Sequence, residues 1–179
     1  MAFERLASDE VWKGRIAAVR VERFRHDDGE EIEREVVTHP GAVCVVAHDG
    51  ERLWLVRQPR EAVGAEALLE LPAGKLDEEG EDALATAKRE LAEEIGKSAR
   101  TWTHLTTFWS SPGFSDERIW VYLATGLYDD PAEADENERI EIELVPLREL
   151  DDVIRRCEDA KSLVGLLWFR AFELGELAS

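Results

Sequence analysis

Cysteine is scarce in this chain, with Cys44 and Cys157 the only two. They lie far apart in apolar or helical contexts, with no histidine or second cysteine at ligand spacing, so neither a disulfide framework nor a zinc site is expected. A reduced, cytoplasmic protein is the expectation. Long hydrophobic runs are missing as well. The longest apolar stretches, Ala42 to Ala47 and Leu163 to Phe169, are far too short to span a bilayer, and the opening MAFERLASDEVWKG is too polar for a secretory signal. Positive charge is also in short supply: 22 basic residues face 40 acidic ones, for a formal charge of -18. That balance opposes nucleic-acid backbones and anionic membranes, and neither is an expected partner. It leaves room for a small anionic substrate, since a divalent cation held by carboxylates reverses the local field. Histidine is limited to His26, His39, His48 and His104, which share no motif.

A length of 179 residues is enough for a sizeable core without disulfide support. RIAAVRVERFR (15–25) and IEREVV (32–37) alternate apolar with polar around HDDGEE, the pattern of an antiparallel hairpin. Two apolar runs, 42–47 and 52–58, flank an Asp-Gly turn at 49 and 50 and suggest paired central strands. Residues 59–69 are expected to form a loop or short helical turn, followed by a short strand at 69–74 that ends in a glycine turn. Strands near 102–109, 117–124 and 139–146 and helices near 147–157 and 161–174 complete a mixed α+β reading. The organisation expected is N-terminal strands over 1–38 and a main domain over 39–179. The acidic stretch 128–138 (YDDPAEADENE) is a candidate mobile loop.

DALATAKRELAEEI (82–95) has helix-forming composition, an Asp at its start and Gly96 at its end. Leu84, Ala87, Leu91 and Ile95 form one apolar stripe; Glu90, Glu93 and Glu94 fall on a different face, one turn apart. Three carboxylates that close repel unless a cation sits among them, and oxygen-only ligands suit Mg²⁺ or Mn²⁺. An ordinary solvated acidic face is the alternative that spacing alone leaves open.

The wider stretch GKLDEEGEDALATAKRELAEEIG (74–96) resembles the defining box of the Nudix hydrolases. Glu81, Arg89, Glu90, Leu91, Glu93, Glu94 and Gly96 match at their spacing. Two departures stand out: six residues rather than five separate Gly74 from Glu81, and Lys97 occupies a position that is normally apolar. The resemblance implies an α/β/α sandwich with a mixed central sheet and an N-terminal antiparallel hairpin. It also implies Glu90, Glu94, Glu93 and the Ala73 carbonyl as metal ligands, with Arg89 and Glu81 orienting the carboxylates.

SSPGFSDERIWVYLA (110–124), VRQPREAVG (56–64), LELPAGKLD (69–77) and KSLVGLLWFRAF (161–172) resemble the ADP-ribose pyrophosphatase branch of that family. By that resemblance Arg60 contacts substrate, Arg34 or Glu35 sits near the adenine, Glu70 braces the site, and Pro112 lies beside the substrate. In the DENE loop, Glu136 serves as general base and Glu138 reaches a metal, with Glu90 the rival base. Arg57 is read equally as a solubilising surface residue. The implied activity is Mg²⁺-dependent hydrolysis of ADP-ribose to AMP and ribose 5-phosphate, in a homodimer. Trp12, Trp109 and Trp120 are candidates for the dimer contact, and a core role is equally open for the last two. The alternatives are another nucleoside diphosphate derivative as substrate, or a sensor that binds without cutting.

Overall fold

A computed structural model describes residues 1–132 and 139–174. The chain divides into two compact units, one formed by residues 1–41 and 108–118, the other by 42–107 and 119–179.

The first unit is built on a three-stranded antiparallel sheet of β1 (Phe3–Lys13), β2 (Ala18–His26) and β3 (Glu31–Thr38), in that order. The expected hairpin is β2–β3. β1 extends it, a strand the sequence pattern does not announce. The reason lies in its register: irregularities between Arg5 and Ala7 and between Glu10 and Trp12 break the two-residue alternation that marks a strand. In this unit the Val37 N–H donates to the Phe114 carbonyl at 2.8 Å, which ties β3 to the 108–118 segment.

The second unit is organised by β4 (Ala42–His48), every residue of which is buried. Its sheet has the order β10 (Glu141–Pro146), β5 (Arg52–Arg60), β4, β9 (Arg118–Asp129), β8 (Lys97–Trp109). β6 (Ala65–Glu70) pairs with β5, and β7 (Ala73–Lys75) pairs with β4. β4 runs parallel to β9 along its whole length but meets β5 only at Ala47 and His48, beside the Asp49-Gly50 turn. Apolar side chains on both faces are what such a doubly covered strand requires. Val43, Val45 and Ala47 join Ala87, Leu91 and Ile95 of helix α1 (Ala83–Ile95) in one core cluster. On the opposite face, Val46 packs against Gly165 of α3 (Ala160–Trp168), where a Cβ would come within 2.7 Å of Leu71. The helix α2 (Leu150–Arg156) precedes α3, and a π-helical turn, Phe169–Glu173, follows it. A mixed sheet between helices is the α+β sandwich expected. No helix among the described residues is long and apolar enough to cross a membrane.

The helix that carries the acidic motif starts and stops as its sequence dictates. Asp82 caps it by accepting from the Ala85 N–H at 2.8 Å, and Gly96 ends it in the left-handed region at φ 65°. The extra residue before Glu81 is absorbed in a turn that Gly80 closes at φ 89°, with the Glu81 N–H donating to the Glu78 carbonyl. Lys97 lies over the Trp54 ring at 4.7 Å and pairs with Asp129, so its charge is accommodated at the sheet surface.

Candidate active site

Within α1 the apolar stripe is as expected for Ala87, Leu91 and Ile95, with Leu84 partly buried against it. The solvated acidic face that spacing alone left open is not what forms at Glu90 and Glu94, which are 9% and 7% exposed. Burial of two carboxylates is expensive without compensation, and each has a distinct local partner. Glu94 Oε2 accepts the Ala73 N–H at 2.9 Å, across the end of β7. Glu90 Oε1 lies 2.9 Å from Arg89 Nη1, and the same nitrogen donates to Glu93 Oε2 at 2.8 Å. Arg89 Nε reaches Glu81 Oε2 at 3.2 Å. Partial burial works against the Arg89 charge, but the charge of Glu90, the hydrogen bond to Glu81 and the charge of Glu93 outweigh it and push its pKa up. One guanidinium thus serves three carboxylates.

The backbone at Gly74 touches this cluster directly. A Cβ there would fall 1.9 Å from Glu90 Cδ and 2.0 Å from Glu90 Oε1, so only glycine lets the chain pass this close to the carboxylate. Carboxylate oxygens set beside backbone are the donor type that hard divalent ions select, so the chemistry of these residues fits such an ion. Yet among the described residues no three acidic or imidazole side chains are gathered as a metal-holding group. The three carboxylates do not converge on one point as helix spacing alone suggests. Arg89 holds Glu90 and Glu93, while Glu94 turns onto Ala73.

A second charged group adjoins the first. Glu70, at the end of β6, has no exposed side-chain surface and is gripped by the Arg60 fork, Nε to Oε1 at 2.6 Å and Nη2 to Oε2 at 2.8 Å. Lys161 Nζ donates to Glu70 Oε2 at 2.5 Å and to Asp159 Oδ2 at 2.9 Å. Asp159 caps α3 through the Ser162 N–H and also accepts from Ser162 Oγ at 2.6 Å. Ser162 Oγ in turn accepts the Leu71 N–H at 2.7 Å. Burial alone would raise the Glu70 pKa, but the hydrogen bond from Arg60 and the charge of Lys161 overcome it and hold the group ionised. The negative field of Glu94 reaches Arg60, which links the two groups.

Lys161, Asp159 and Ser162 were not among the residues singled out from the sequence. The one available signal was the Asp159 and Ser162 spacing of a helix cap, which says nothing of Glu70, 91 residues away from Lys161.

Other expected residues fall elsewhere. Arg34 and Glu35 are exposed on β3 of the first unit, where Arg34 joins Phe3, Phe24, His26 and Ile32 around an apolar recess of about 220 Å³. Pro112 is exposed in the turn that Ser111 closes by accepting from the Phe114 and Ser115 N–H groups. Arg57 is committed to Glu143 and to the Ala67 carbonyl. Glu136 and Glu138 lie outside the described residues. Trp109 is half exposed beneath Arg118 rather than in the core, Trp12 is exposed, and Trp120 is partly buried against the second unit's core. Cys44 and Cys157 are both buried and unpaired, and burial pushes the Cys44 thiol up to about 12.

Comparison with known proteins adds a separate line of evidence. A NUDIX domain model matches residues 37–164. An ADP-ribose pyrophosphatase of Bacillus subtilis is 36% identical over 173 residues, covering 94% of this chain and 92% of that protein. An ADP-ribose pyrophosphatase of Mycobacterium tuberculosis is 47% identical over 126 residues, 70% of this chain and 60% of that one. A solved structure described as an ADP compounds hydrolase superimposes with a TM-score of 0.87, covering 98% of this chain and 96% of its own, at 24% identity. That last likeness concerns the fold.

Proposed function

The chain belongs to the NUDIX domain family, and from that premise we propose that it hydrolyses the diphosphate bond of ADP-ribose to AMP and ribose 5-phosphate. The observation that carries the reading is the buried pair Glu90 and Glu94 set against the Ala73-Gly74 backbone on a helix whose spacing matches the family box. The relatives named ADP-ribose pyrophosphatase support the choice of substrate.

In this reading Glu90, Glu93, Glu94 and the Ala73 carbonyl hold Mg²⁺, with Mn²⁺ as a substitute. A bound divalent ion supplies charge neutralisation of the diphosphate and lowers the pKa of water. Arg89 keeps Glu90 and Glu93 within reach of each other and limits their repulsion. Arg60, braced by Glu70, donates to a substrate oxyanion. Arg34 or Glu35 meets the adenine, and Pro112 borders the substrate. Glu136 takes the proton from the attacking water, Glu138 adds a carboxylate, and Glu90 is the rival base. The working form is a homodimer, consistent with the apolar side chains Phe3, Val11 and Trp12 exposed on β1. The cytoplasm suits its two free thiols.

The test is direct. Purified protein is incubated with ADP-ribose and Mg²⁺, AMP is measured by chromatography, and EDTA is added in parallel. AMP release that EDTA abolishes is expected, with Glu90→Gln and Glu94→Gln reducing kcat by about 100-fold or more. Absence of AMP with both Mg²⁺ and Mn²⁺ refutes the proposal.

A further inference from the structure

The charged group on the first turn of α3 is more elaborate than a structural anchor requires. Leu71 is already tied to α3 through Ser162 Oγ, and Gly165 packs tightly against the Leu71 side chain. Two more charges, Lys161 and Glu70, are nonetheless buried beside that anchor, with side chains 15% and 0% exposed. Burying ions costs free energy that a well-packed apolar pair of the same size would not. Lys161 stays protonated there: burial pulls its pKa down, but the charges of Asp159 and Glu70 outweigh that and raise it.

What the arrangement accomplishes is visible at Arg60. The guanidinium uses Nε and Nη2 for Glu70, so its Nη1 edge lies outside the fork, on a side chain 40% exposed. If Glu70 were neutralised by Arg60 alone, an incoming anion would compete with Glu70 for the same guanidinium. Lys161 removes that competition by sharing the Glu70 charge, and it fixes the carboxylate plane that sets the guanidinium plane.

Resting on the function proposed above, we infer that Lys161 is a positioning residue for substrate recognition. It pins Glu70 and shares its charge, which holds Arg60 in one orientation with its outer edge turned to an anionic oxygen of a nucleoside diphosphate. Lys161 itself does not touch the substrate. The route from Lys161 through Glu70 to Arg60 affects binding; Glu90 and Glu93 are held by Arg89 and Glu94 by the Ala73 N–H, and only the charge of Glu94 is felt at Arg60.

The experiment compares Lys161→Met and Lys161→Arg with the wild-type full chain. Three quantities are read: exchange of the Arg60 Nε–H with water by nuclear magnetic resonance, KM and kcat for ADP-ribose, and the Mg²⁺ concentration giving half-maximal rate. Lys161→Met is expected to accelerate Arg60 Nε–H exchange about tenfold and raise KM about tenfold, with kcat within about threefold and the Mg²⁺ requirement unchanged. Lys161→Arg, which keeps the charge, is expected to bring KM back to within about threefold of wild type. If Lys161→Met does not fold by circular dichroism, Lys161→Gln replaces it in the same comparison. An unchanged Arg60 exchange rate overturns the inference whatever the substrate. So does a loss confined to kcat, or a shifted Mg²⁺ requirement. Wild-type protein that releases no AMP refutes the functional proposal instead, and the exchange measurement still decides whether Lys161 orders Arg60.

Discussion

Gly74→Ala separates the stability of this fold from the integrity of its candidate site. The added Cβ would lie 1.9 Å from Glu90 Cδ, 2.0 Å from Oε1 and 2.3 Å from Cγ, where ordinary contact begins near 3.4 Å. Something must retreat by about 1.5 Å, and the overlapping atoms all belong to the Glu90 side chain, from Cγ outward, so Glu90 is what moves. Gly74 has no positive φ, so alanine is tolerated by the backbone itself. The cost of an off-rotamer Glu90 is about 1 kcal/mol, and alanine recovers a similar amount by restricting the unfolded chain. Leaving Arg89 removes part of what offsets the burial of Glu90, about 1.5–3 kcal/mol, so stability in urea should fall by about 3 kcal/mol at most. Activity should not survive so well. The Glu90 contact with Arg89 at 2.9 Å is lost, and misplacing a functional group by about 1 Å costs on the order of 100-fold in rate. The assay pairs a urea titration with kcat/KM from AMP release. Activity within about threefold of wild type refutes the reasoning. Loss of more than about 3 kcal/mol in stability also refutes it, because the backbone rather than Glu90 would have given way.

Two further tests address the scaffold. Ser162→Ala leaves the Leu71 N–H without its acceptor in a buried setting and should cost about 2 kcal/mol by chemical denaturation; a change under about 0.5 kcal/mol would deny that this bond anchors the turn. Asp49, in the β4–β5 turn, would have its pKa raised by burial, but the N–H groups of Arg52 and Glu51 and the Arg52 guanidinium bring it down to about 2, from 3.8. A depressed carboxyl pKa contributes stability that is complete above 3.8 and is lost as pH falls through about 2. The urea-midpoint gap between wild type and Asp49→Asn should therefore close across that window, and a gap that widens on acidification contradicts the assignment.

Much of the fold was legible because it is local. The Asp82 cap, the Gly96 stop and the stripe of Ala87, Leu91 and Ile95 follow from a repeat of 3.6 residues per turn. The all-apolar run 42–47 marked a strand buried on both faces, and the Asp-Gly pair marked its turn. Other features were hidden by local irregularity. The two register breaks in β1 scramble the alternation by which a strand is seen, and β6 occupies the end of a stretch that reads as a loop or short helical turn, of which only the turn at Glu61–Val63 is found.

The sequence by itself determined that Glu90, Glu93 and Glu94 would share one turn of helix, because adjacent positions on a helix are set by geometry within a few residues. It could not determine where their charges would go. Only tertiary structure decided that Glu94 turns to the Ala73 N–H, that Arg89 gathers Glu81, Glu90 and Glu93, and that Gly74 passes against Glu90. It alone brought Lys161 to Glu70 across 91 residues. The physical reason is that helix spacing is dictated by bonds along the chain, whereas the partners of a buried charge are dictated by which segments the core presses together.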